Sequence, residues 1–383
     1  MKLLQSLAIL IALGAQFTRA QTPADSLFDA ITRQGIDHVY NLEFEKADSE
    51  FTVLEHMRPA HPAGRFFLAM TDWWRILIDI ENTRYDTRFF AELDGVVDLC
   101  DSLLDIDKNN VTAIFFKGGA IGFEGRLRFH RDDYLAAANA GRKALGIIRD
   151  AESLDPGNAD ILLGAGMYNY YADVLPKEYP YLKPLMLFIP AGDKQKGIEQ
   201  LNEAAARGKY ASVESMYFLM QLYYYYEKDY PKALAIALQL TRRYPNNMLF
   251  HKYLGRCYAS ESNWSEGLAV FSDIEERSVR GQRGYTTWAE REAEYYIGLC
   301  QMNLGRIDKA LPHFFRCDEV SRTLDRDGES GFMVLANLRI GMIDDLLGKR
   351  EEAKQQYRKV LGMKEYLDSY AEAQQFLNSP YAQ

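Results

Sequence analysis

Two cationic side chains, Lys252 and Arg256, stand four residues apart, so on a helix they share a face and could clamp a carboxylate between them. The rest of the sequence offers little chemistry. The six histidines, His38, His56, His61, His130, His251 and His313, form no HExxH pattern and no i, i+4 pair that would hold a metal on one helix face. No phosphate-loop pattern and no GxSxG occurs. The glycines of FKGGAIGFEG, Phe116 to Gly125, follow no strand, so they read as close helix contacts and not as a nucleotide loop. Carboxylate pairs such as Glu351-Glu352 and Asp344-Asp345 read as solvated helix faces. The four cysteines, Cys100, Cys257, Cys300 and Cys317, lack zinc spacing and read as buried thiols. The expectation is a protein that is not an enzyme, with no catalytic residue, no metal and no cofactor.

The elements that must position Lys252 and Arg256 recur at a fixed period. Ala233, Gly267, Ala310 and Ala353 mark it, with a first gap of 34 residues and two further gaps of 43. Twelve positions before the last three marks stand Gly255, Gly298 and Gly341. Four positions after them stand Phe271, Phe314 and Tyr357. Small residues let two paired helices approach, and large apolar ones fill the space between neighbouring hairpins. Gly35, Ala47 and Phe51 repeat the same offsets near the N-terminus. Self-similarity of this length is the pattern of stacked helical hairpins. Helices are also expected near 63–82, 87–106, 111–127, 131–153 and 158–174, and no alternating strand pattern appears.

These marks resemble the tetratricopeptide repeat. The resemblance implies an all-α, right-handed superhelical solenoid of helical hairpins whose first helices line a concave groove, and it implies binding of other protein chains. By position in the repeat, that groove would be lined by Tyr168, Asn169, Phe218, Leu222, Tyr225, Tyr226, Lys252, Arg256, Tyr295 and Asn303. A second resemblance covers roughly residues 158–275. GAGMYNYYADVLP followed by GDKQKGIEQL is similar to the inclusion-body-clearance family of tetratricopeptide proteins, through Gly164, Gly166, Leu175, Pro176, Gly192, Asp193, Gly197 and Leu201. That family is not typically secreted, so its cellular role is not carried over.

The first twenty residues have the form of an export signal: Lys2, a short apolar core from Leu3 to Ala15, and small residues at Thr18 and Ala20. The core is shorter than the roughly twenty residues needed to span a bilayer. The expected organisation is a signal peptide at 1–20 and a degenerate helical region at 21–192 with an irregular insertion at 176–192. Repeats follow at 193–363, then a capping helix and tail at 364–383. The expected location is the periplasm or cell envelope, or outside the cell. A net charge of −9 argues against nucleic acid as a partner. The expected function is a non-catalytic exported scaffold that binds a protein or peptide in its groove, within a bacterial cell-envelope assembly. The alternative is a membrane-associated or lipid-handling protein that uses the apolar 176–190 lobe.

Overall fold

The computed structural model describes residues 23–183, 190–326 and 328–382. The expected signal at 1–20 lies outside them, as do residues 184–189 of the insertion. Among the described residues the protein is all-α, a right-handed superhelical solenoid with no strand. Eight hairpins follow one another: α1 (Pro23–Tyr40) with α2 (Phe44–Met57), α3 (Ala63–Leu77) with α4 (Asp86–Ile106), α5 (Val111–His130) with α6 (Tyr134–Leu154), and α7 (Ile161–Glu178) with α8 (Lys194–Arg207). Then come α9 (Ser212–Gln221) with α10 (Tyr230–Arg243), α11 (Met248–Ser260) with α12 (Trp264–Val279), α13 (Thr287–Asn303) with α14 (Ile307–Leu324), and α15 (Gly331–Leu346) with α16 (Arg350–Leu361). A last helix, α17 (Ser369–Asn378), packs on the final hairpin.

The repeat marks are the joints of these hairpins. A methyl group placed on Gly255 would meet the Phe271 ring at 2.6 Å, and one on Gly341 would meet Tyr357 at 2.7 Å. The same contact joins Gly298 to Phe314 and Gly35 to Phe51. Each glycine thus receives the aromatic ring of its partner helix within one hairpin, and all four rings are fully buried. Where α7 meets α8, Gly166 and Gly197 bring the two backbones together, and Leu201 takes the place of the ring.

The turns inside six hairpins share one geometry. Leu42, Asp132, Lys228, Ser262, Gly305 and Gly348 all have positive φ, between 53° and 73°. Each stands two residues before a second helix. Side chains of Asn110, Asp133, Asp193, Asp229, Asn247 and Ser330 accept hydrogen bonds from first-turn N–H groups of their helices. Helix α7 continues through Pro176 to Glu178. The C-terminal helix begins at Ser369, after a turn in which Leu367 has φ 51°.

The solenoid also closes on itself. The Tyr40 ring at the end of α1 lies 5.0 Å from Trp74 of α3, 5.5 Å from Tyr244 and 6.3 Å from Phe250 of α11. Trp74 in turn contacts Tyr217 of α9. Polar bonds run alongside these rings. Asn247 donates to the Tyr40 carbonyl at 2.7 Å, Tyr244 donates to Asp37 at 2.6 Å, and Arg243 pairs with Asp37. The first hairpin therefore packs against α9 and α11, and one core cluster runs from Phe28 to Ile297.

Candidate functional site

Packing against other helices leaves only some of the expected groove residues accessible. Phe218, Leu222 and Tyr295 are buried. Phe218 lies under the Arg126 guanidinium, and Tyr295 packs on Phe314 and Phe332. These three are core and not lining. Asn169 donates to Gln200 at 2.7 Å, and its carbonyl abuts Gly192. Tyr168 donates to the Pro190 carbonyl. Both therefore seat the returning end of the insertion on α7. Tyr226 is half-buried against Tyr170 and Tyr171. Asn303 is exposed, with its amide bonded to Leu299 of its own helix.

Tyr225, Lys252 and Arg256 do come together. A widened turn over Leu222–Tyr226 ends α9, with the Glu227 N–H donating to the Leu222 carbonyl at 3.0 Å. The extra residue in such a turn shifts every later side chain around the helix. Tyr225 emerges from it 41% exposed. Arg256 Nη1 donates to the Tyr225 hydroxyl at 2.7 Å, and Arg256 Nε donates to Glu292 of α13. Lys252 Nζ stands 3.8 Å from the other Glu292 oxygen. The carboxylate expected between Lys252 and Arg256 is thus supplied by the chain itself. Burial pushes the Glu292 carboxyl up, but Arg256 and Lys252 outweigh it and hold the group below its usual value. Burial lowers the Lys252 ammonium, and Glu292 opposes that shift. Two cations share one anion, so the row keeps a surplus of one positive charge.

A second feature is a cavity of about 550 Å³ walled by α5, α6 and α7, with α1, α3 and α9 behind it. Its polar centre is a buried cluster. Arg126 Nη1 donates to Glu214 Oε1 at 2.7 Å, and the Tyr40 hydroxyl donates to Glu214 Oε2 at 3.1 Å. Burial, with Glu214 next, raises the Tyr40 phenol well above its usual value. Spacing along the chain gives no sign of this cavity, because its walls come from six helices. Gly118, Gly119 and Gly125 do make the close helix contacts expected of them: a methyl group on each would stand 3.1, 3.0 and 3.1 Å from Ile147, Phe66 and Ala140.

Glu275, Glu294 and His313 present ligating atoms within 4.8 Å of one another. They come from α12, α13 and α14, so a search for ligands on one helix face passes over them. His313 Nδ1 lies 2.7 Å from Glu294, and that hydrogen bond raises the imidazole pKa. All four cysteines are buried free thiols.

No family model and no curated protein matches the chain. Among solved structures, the apo form of RapI is similar over 88% of this chain and 87% of its own, at 12% identity and TM-score 0.41. A human IFIT1 dimer with m7Gppp-AAAA is similar over 94% of this chain and 86% of its own, at 13% identity and TM-score 0.44. Likenesses of this size leave the ligand to be argued from the chain's own residues.

Proposed function

We propose that this chain is an exported, non-catalytic scaffold of the tetratricopeptide type, and that it binds a protein segment bearing a carboxylate on the inner faces of α9, α11 and α13. The single observation that carries this reading is the row Tyr225–Arg256–Glu292–Lys252. It crosses three successive first helices, and it holds an unbalanced positive charge in a chain whose net charge is −9. Tyr and Arg are the residue types that most often anchor protein interfaces. A carboxylate entering beside Lys252 completes the pairing that Glu292 meets only in part. The acidic balance of the chain favours a peptide over a nucleic acid.

The test is a fluorescence-polarisation screen of peptides made in pairs, one with a free C-terminal carboxylate and one amidated. Selected peptides should bind about tenfold more tightly as free acids, the scale of one charge-assisted hydrogen bond. Lys252→Met and Tyr225→Ala should each remove that preference without lowering Tm. Acid and amide binding equally, or a preference that survives both variants, would sink the reading. Export is tested separately by N-terminal sequencing of the mature protein, where a start at Gln21 is expected.

A further inference from the structure

We propose that the cavity between α5, α6 and α7 is a binding site for a lipid-class small molecule. Its apolar tail fills the cavity, and its oxygen-bearing head accepts hydrogen bonds from Arg126. This site is separate from the inner-face row and does not depend on it.

The volume, about 550 Å³, falls within the roughly 300–1,000 Å³ of small-molecule sites. The walls are apolar, with Phe66, Phe123, Leu145, Ile148, Met167 and Leu175 among them. Side chains facing a void forgo the dispersion contacts that a close-packed interior supplies, so an apolar occupant is strongly favoured there.

Gly122 gives the independent clue. It lies within α5 and lines the cavity, where glycine costs about 0.5–1 kcal/mol relative to alanine. The other glycines on this face of α5 are needed for packing. A methyl group on Gly122 would meet nothing within 4 Å. Among the described residues no protein neighbour uses the space that Gly122 leaves open, so an occupant from outside them is what that space accommodates.

Arg126 stands one turn further along α5, on the same face. Its guanidinium is held among the rings of Trp73, Phe123 and Phe218, at 4.4, 4.8 and 4.6 Å. Nη1 is committed to Glu214. Nε and Nη2 make no hydrogen bond to the protein among the described residues. They are donors fixed in place beside an apolar space, and an acceptor oxygen on a ligand would satisfy them. The ion pair with Glu214 leaves this centre neutral, so the head needs acceptor atoms and not a large charge. Phe129 and Tyr134 line the cavity while 49% and 44% exposed, and they mark where an apolar molecule would enter.

The experiment titrates cis-parinaric acid, a fluorescent fatty acid, into the full-length protein. Diphenylhexatriene, an apolar fluorophore without a head group, is the second probe. Wild type is expected to bind the acid saturably and at least tenfold more tightly than the headless probe. Gly122→Leu, which places a side chain in the void, is expected to weaken acid binding at least tenfold with Tm unchanged or raised. Gly141→Leu, on the facing α6 wall where a methyl group also meets nothing within 4 Å, gives the same readout if Gly122→Leu fails to fold. Lys252→Met should leave acid binding unchanged, which separates this site from the peptide row. Absence of saturable binding to wild type, or binding that survives both leucine variants, would overturn the proposal. Equal binding of the two probes would overturn the role given to Arg126.

Discussion

Arg256 divides its guanidinium between Tyr225 and Glu292, and that sharing governs what the row can do. Replacing Glu292 by glutamine removes the internal competitor and leaves two cations unbalanced. Breaking a buried pair in this way should lower stability by about 3 kcal/mol. The same change should tighten binding of carboxylate peptides severalfold, read by denaturant unfolding and by polarisation on one sample. A second residue-scale prediction concerns His251. Burial drives its pKa down to about 4, with Asp273 raising it and Arg277 lowering it further, while its Nδ1 hydrogen-bonds the Tyr285 hydroxyl. A neutral histidine in the folded state contributes stability that is present above about pH 6.5 and lost as pH falls towards about 4. Unfolding free energy should drop over that window by on the order of 3 kcal/mol from this group, and a His251→Gln variant should show a shallower drop. Of the row, Lys252 and Arg256 were legible in the sequence, because four-residue spacing on one helix is a local signal. Glu292 was not, because it reaches Arg256 from a helix 36 residues further on.

Hairpin by hairpin, what the sequence conveyed was the joint between paired helices. Gly255 and Phe271 could be read because a missing side chain and a large ring recur at fixed offsets. Gly255→Ala would drive a methyl group against the buried Phe271 ring, which is stacked on Tyr296 with centroids 4.5 Å apart. The expected cost is about 1–3 kcal/mol, measured as a fall in the denaturant midpoint. The turns were not legible, since four of the six positive-φ residues in the hairpin turns are Leu42, Asp132, Lys228 and Ser262. Glycine is the residue that adopts this conformation without steric cost, and of these six turn positions two hold it, Gly305 and Gly348. Ser262 is exposed, so Ser262→Gly should raise stability by about 0.5–1 kcal/mol in the same measurement. The widened turn at Leu222–Tyr226 was hidden for a related reason. A run of tyrosines covers every side of a helix and so conveys no period.

For the whole molecule, repeat reasoning sees each hairpin touching its neighbours and nothing more. The contacts of the first hairpin with α9 and α11 break that rule. Their sequence signal is weak, because Tyr40, Trp74, Tyr217 and Phe250 each read as ordinary core aromatics. Asn247 is where the closure can be tested. Its side-chain oxygen caps α11 through Leu249 and Phe250, while its amide nitrogen donates to Tyr40. Asn247→Asp keeps the cap and sets a carboxylate against a carbonyl. Stability should fall by about 1–3 kcal/mol, and limited proteolysis should cut first between α1 and α3. Cleavage confined to the C-terminal repeats would mean that closure is not held there.

The bond between Tyr40 and Asn247 joins residues 207 apart in the chain. A linear repeat array can consolidate as each unit leaves the ribosome, but this one cannot finish its first unit early. At about 5–20 residues per second, the α1–α2 hairpin waits on the order of 10–40 s for its distant partners to be synthesised. Through that interval Tyr40 and Trp74 lack their covering rings and are open to wrong contacts. The arrangement that makes the finished molecule compact therefore makes its birth slow, and it marks the newborn N-terminal segment as the part that most needs a chaperone.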